Sequence, residues 1–178
     1  MVRPRACTWL LACLFVACQS SSSGHASSPS SSSLLCQPGG GFSAPNDEGV
    51  LLDVPDPASH ATIIEIWARW CEGCQHAVPA LLEQRGKLEA DGVRVVLLGV
   101  LEDDESVDDA RAKLASWGVS EPFMIDRGGT LMRRFGFSEL PASVVLDAQG
   151  NVRWTSQKGS SANDVVAAAL SAASHTCP

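Results

Sequence analysis

The sequence is short of positive charge. Lysine and arginine together number 13 against 20 aspartates and glutamates, which gives a formal charge of −7 at pH 7. No basic stripe appears, which argues against binding nucleic acid or anionic membranes through charge. No apolar run is long enough to span a bilayer. There is no internal repeat and no second Cys-x-x-Cys. The remaining candidate zinc ligands, Cys36, His60, His76, His175 and Cys177, do not supply the second pair that a four-ligand site needs. A c-type haem attachment needs His directly after the second Cys of the pair. Gln75 stands there and His76 comes one place too late. Neither a metal nor a separate cofactor is expected.

What is present starts with a leader. Arg3 and Arg5 precede an apolar run from Cys7 to Ala17 that only Thr8 interrupts. A positive start, a short apolar middle and a small residue before a cut site mark a secretory signal, here 1–17; a buried N-terminal helix is the alternative. Phe15-Val16-Ala17-Cys18 is similar to the bacterial lipobox, except for Phe15 where Leu is usual. Leu10-Leu11-Ala12-Cys13 also fits but leaves too short an apolar run. On this reading Cys18 is the lipidation site and its acyl chains supply a membrane anchor. Residues 18–35 are a Ser-rich flexible tether that cannot bury enough apolar surface to order itself. The expected location is the periplasmic face of a bacterial membrane, as a lipoprotein. Release as a soluble periplasmic or secreted protein is the alternative.

The 178 residues suit one domain plus this leader, and 45% hydrophobic residues suffice for a core. The domain is expected over 36–178. Of seven cysteines, the leader removes Cys7 and Cys13, and lipidation removes Cys18. Cys71 and Cys74 pair by spacing. Cys36 and Cys177 remain, one at each end of the domain. In an oxidising compartment they can form a structural disulfide, or stay free or pair with a partner protein.

Between residues 50 and 174 strands and helices alternate. Short strands are expected at 50–54 and 123–125, and buried ones at Thr62–Ala68 and Val93–Leu101, both nearly continuous apolar runs. One helix is expected from Glu72 to Glu89, kinked by Pro79. Ser106 with Asp109, and Ser161 with Asp164, read as capping boxes that open two further helices. A short helix is expected over 130–135. Strands at 143–146 and 152–156 form a hairpin across the turn at Asp147–Asn151. The class is α/β, a mixed central sheet with helices on both faces and a C-terminal hairpin plus helix.

A Cys-x-x-Cys between a buried strand and a helix has a physical purpose. Unpaired amides and the helix dipole favour a thiolate on the first Cys. The second lies close enough to resolve a mixed disulfide. Cys71 is therefore the candidate nucleophile and Cys74 the resolving thiol. Glu72 between them disfavours the Cys71 thiolate, which leans toward a reductant, not an oxidant.

Trp67-Ala68-Arg69-Trp70-Cys71-Glu72-Gly73-Cys74, with Pro79 beyond, resembles the thioredoxin superfamily and its exported TlpA/ResA-like branch. The likeness covers about residues 45–172 and takes in Gly99-Val100, the acidic run Glu102-Asp103-Asp104-Glu105 and Phe135-Gly136-Phe137 before Leu140-Pro141. It implies a thioredoxin-like fold and an enzyme that exchanges electrons with protein thiols and disulfides. It also implies a redox partner protein, and a role such as cytochrome c maturation. No nucleic acid is implied, and the expected state is a monomer. By position, Pro141 matches the cis-proline facing the disulfide, and Trp70 and Leu140 the substrate-docking surface. Glu65 matches the buried acid that takes and returns the proton of Cys74. Its alternative is an idle carboxylate at a sheet edge. Trp67 reads as plain core. Gly73 replaces the Pro frequent before the second Cys, and Ala77 replaces a Glu often found three residues after it. A thioredoxin-like module that binds a partner or metal without turnover is the competing function. A peroxide reductase would need a further cysteine in the first helix, and none is present.

Overall fold

The computed structural model describes residues 35–177. The expected leader, Cys18 and all of the tether but Leu35 lie outside the described residues. Chain order is β1 Phe42–Pro45, β2 Leu51–Val54, β3 Ala61–Trp67, α1 Cys74–Leu82, α2 Arg85–Ala90, β4 Val93–Leu101, α3 Val107–Ser116, β5 Phe123–Arg127, α4 Thr130–Arg134, β6 Ala142–Asp147, β7 Val152–Thr155 and α5 Ala162–Ser174.

Five strands form the central sheet in the order β5-β4-β3-β6-β7. The β3–β4 and β4–β5 pairs are parallel, and β6 runs antiparallel to both β3 and β7. Strands β3 and β6 are buried along their whole length, because helices cover both faces. On one face Leu81, Leu88, Val165 and Ala169 pack on Ala61, Ile63 and Val145. On the other, Ala110, Leu114 and Met132 pack with Ile64, Ile66, Leu98 and Val144. Trp67 is wholly buried there, edge-on to Trp117 and Phe123 at centroid distances of 5.7 and 5.3 Å. No helix among the described residues is long and apolar enough to cross a membrane.

Two expectations change. The single helix over Glu72–Glu89 is two helices, and the first begins at Cys74. Pro79 sits inside α1, which continues to Leu82 before breaking at Glu83-Gln84. At the break the turns tighten to three-residue bonds, Gln84 N to Leu81 O at 3.0 Å and Lys87 N to Gln84 O at 3.1 Å. The strand at 50–54 belongs to a separate antiparallel hairpin with β1 and not to the main sheet.

The chain ends are clasped together. Cys36 and Cys177 form a disulfide across a separation of 141 residues. Beside it Arg153, 3% exposed, donates to Leu35 O at 2.9 Å, to His175 O at 2.5 Å and to Asp147 Oδ2 at 3.4 Å. The Leu35 amide answers with a 2.7 Å bond to Arg153 O. Asp147 is held in turn by the amides of Gln149 and Asn151 and by the Asn151 side chain. A buried guanidinium with this many acceptors has its desolvation offset.

Candidate active site

The central strand β3 delivers the Cys pair. It ends at Trp67, and the chain bends through residues 69–73 into α1. Cys71 and Cys74 form a disulfide with Cα atoms 5.4 Å apart. Cys71 is 4% exposed and Cys74 is fully buried. Helix α1 starts at Cys74, so Cys71 stands just before the first turn and not within it. The Cys74 amide donates to Cys71 Sγ at 3.1 Å. An amide at a helix start, aimed at this sulfur, is placed to stabilise a Cys71 thiolate once the bond opens.

The loop before β6 closes over the pair. The Leu140–Pro141 peptide bond is cis. A Cβ added at Gly73 would meet Pro141 Cδ at 3.0 Å and Cγ at 3.7 Å. Gly73, where a larger residue is frequent in the family, lets the two loops touch. Pro141 is exposed and Leu140 is half-buried against the core. Trp70, on the other side of Cys71, is 55% exposed, an unusual state for a large aromatic ring.

Glu65 lies in mid-strand on β3, in register with Leu97 of β4 and Ser143 of β6. It is 2% exposed, so the sheet-edge alternative is overturned: β3 has a neighbour on each side. Burial pushes its carboxyl up from 4.5 to about 7, partly offset by a hydrogen bond from Ser143 Oγ to Oε2 at 2.6 Å. A group titrating there can hold and release a proton near neutrality. It opens on a cavity of about 590 Å³ that Ala77, Leu140, Pro141, Ser143 and Ser156 also line. Ala77, where the family often has an acid, leaves that space open. On the Trp70 side, Arg69 pairs with Glu105 at 3.6 Å and Asp109 at 3.4 Å. Arg127 Nη1 pins the acidic run by the carbonyls of Glu102, Asp103 and Glu105, at 2.7, 3.2 and 3.1 Å.

The structure thus gathers Cys71, Cys74, Trp70, Leu140 and Pro141 beyond the end of β3, with Glu65 inside the strand on a cavity that Leu140 and Pro141 share, and sets Cys36 and Cys177 apart from them. Ser143 and Arg127 escape sequence reasoning. For Ser143 a signal exists: it is a polar residue inside a buried strand, as Glu65 is inside another.

A family model described as Redoxin matches residues 32–170. The chain belongs to the Redoxin family. This Redoxin domain is 27% identical over 105 residues to the thiol-disulfide oxidoreductase ResA of Bacillus thuringiensis subsp. konkukian, covering 59% of each chain. It is 25% identical over 117 residues to ResA of Bacillus subtilis, covering 63% of this chain and 64% of that one. The match therefore spans about three fifths of the length of those curated relatives. Among solved structures, a thiol:disulfide interchange protein of the thioredoxin family from Chlorobium tepidum superposes with a TM-score of 0.63 at 22% identity, covering 78% of this chain and 97% of that one. That likeness speaks for the fold. Together these matches bear out the expected place in the TlpA/ResA-like thioredoxin superfamily.

Proposed function

We propose that this Redoxin domain is an exported thiol–disulfide oxidoreductase that reduces protein disulfides through Cys71 and Cys74. The observation that carries this reading is the Cys71–Cys74 bond at the end of β3, with the Cys74 amide on Cys71 Sγ and Pro141 packed at Gly73. In the dithiol form the Cys71 thiolate attacks a substrate disulfide. A Cys71–substrate bond forms, the substrate S–S bond breaks and one substrate thiolate leaves. Cys74 gives its proton to the Glu65 carboxylate and attacks the Cys71 sulfur. The Cys71–Cys74 bond forms, the mixed disulfide breaks and the second substrate thiolate leaves. Two electrons pass to the substrate, and a dithiol partner protein must supply them again.

The exposed ring of Trp70, with Leu140 and Pro141, forms the docking surface for extended substrate backbone. Glu72, exposed between the cysteines, favours the reducing direction. The leader-like start and a second disulfide at the domain ends favour export to an oxidising compartment. There the domain acts as a monomer held to the membrane through Cys18.

Turnover with a protein disulfide and excess dithiol tests the reading. The wild type should reduce the substrate catalytically, Cys71→Ser should be inert, and Cys74→Ser should accumulate a mixed disulfide on Cys71. A partner-binding module without turnover would instead show no catalysis in the wild type, and no trapped species.

A further inference from the structure

Glu65 has two carboxyl oxygens in different situations. Oε2 accepts the Ser143 hydroxyl at 2.6 Å. No hydrogen bond from any described residue reaches Oε1, and the residue borders the cavity. Ser143 is itself fixed from both sides of its peptide. Its amide donates to Ser156 Oγ at 2.9 Å, and its carbonyl accepts from the Ser156 amide at 2.9 Å. Ser156 follows β7 directly, so the edge of the sheet sets where the Ser143 hydroxyl stands. That hydroxyl makes no other hydrogen bond among the described residues.

We propose that Ser143 is a positioning residue for proton transfer at Glu65: it occupies Oε2 and leaves Oε1 to exchange the proton of Cys74 with the cavity. The inference rests on the thiol–disulfide reading above. Oε2 already accepts a bond that the sheet has pre-set, whereas Oε1 is left to the cavity, so exchange is favoured at Oε1. The hydroxyl donates to the ionised carboxyl more strongly than to the neutral one, so it also holds Glu65 as a usable base at lower pH than burial alone would allow.

The surroundings leave little else to do this. From α1 the cavity receives Ala77 and Leu81, and from α5 Ala162 and Val165. On β4 the register partner is Leu97. The charged groups that share the cavity are Glu139, in the loop before β6, and Lys158, after β7, and both are exposed. Cys74, in the first turn of α1, is buried in its disulfide with Cys71 and carries no charge in the oxidised protein.

The test follows the Glu65 carboxyl by carbon NMR in carboxyl-labelled, full-length oxidised protein, with Glu65→Gln to assign the signal. The wild-type midpoint should lie near 7. Ser143→Ala should move it up by about one pH unit, and Ser143→Thr, which keeps the hydroxyl, should restore it. An unchanged midpoint in Ser143→Ala, or equal shifts in both variants, overturns the assignment. Rapid mixing then gives the pH profile for the second step, loss of the mixed disulfide. Its rising limb should move up with the carboxyl in Ser143→Ala. A carboxyl shift without a matching shift of that limb removes Ser143 from proton transfer. A wild type with no mixed-disulfide chemistry overturns the oxidoreductase reading itself, whatever the carboxyl does.

Discussion

Cys71–Cys74 and Cys36–Cys177 have nearly the same Cα separation, 5.4 and 5.8 Å, and differ in what surrounds them. The first closes a ring over a sequence separation of 3, the second over 141. Opening the first frees almost no chain, while opening the second releases both ends of the domain. Around the first are a helix-start amide, a buried acid and an exposed aromatic ring. Around the second are a buried Arg153–Asp147 pair and backbone carbonyls from both ends. Exposure does not separate them as one would guess. Cys36 is exposed, whereas Cys71 and Cys74 are buried. On the proposed function, ring size and the groups that receive the sulfur's charge, not exposure, mark the bond that opens.

The sharpest way to break this contrast is to remove the terminal bridge. Cys36→Ser/Cys177→Ser should cost about 5 kcal/mol of stability in denaturant melts, on the chain-entropy account, and leave disulfide turnover at its wild-type rate where the domain is folded. A loss of turnover in the folded variant would join the two regions functionally. Arg153→Met asks whether the clasp works without the bridge being touched. It removes the cationic partner of buried Asp147, which keeps its bonds from Gln149 and Asn151, and leaves two carbonyls unpaired, and should cost about 3 kcal/mol in the same melts.

The redox end has a dependence of its own on pH. Folding raises Glu65 from 4.5 to about 7, so the native state favours the neutral acid. The stabilisation is fully present below about 4.5 and is lost as pH rises through 7, by about 3 kcal/mol in all. Glu65→Gln should flatten that slope in melts taken across this range, and an unchanged slope would place its origin elsewhere. The smallest effect belongs to Trp70→Ala. An exposed ring holds little of the fold, so stability should stay within ~0.5 kcal/mol. The rate toward a protein disulfide should fall several-fold against that toward a small one.

The central strands were legible because burial on both faces writes them as continuous apolar runs. The same signal cannot say whether Glu65 lies on a central strand or an edge one, since that is decided by which strands pair. Helix α5 was legible from Ser161 and Asp164, whose reciprocal capping bonds both form. Strand β1 was not: Phe42–Pro45 has four residues, one of them proline, and its partner is chosen by tertiary packing. The split between α1 and α2 was displaced from Pro79, because its ring disturbs the turn before it while the break depends on how α1 and α2 seat on the sheet. Of the site, the Cys pair could be placed from its spacing, and Pro141 and Trp70 from the family resemblance. Ser143 could not, because its role exists only through the register that sets it opposite Glu65.

The most direct test of the two-disulfide account titrates both bonds in one sample against a graded dithiol buffer, with differential alkylation and mass spectrometry to score each pair. Cys71–Cys74 should open reversibly as a two-electron couple near the thioredoxin end of the scale, about −270 mV, while Cys36–Cys177 stays closed until below about −300 mV. Opening of Cys36–Cys177 first, or of both together, would contradict the assignment of one bond to chemistry and the other to structure.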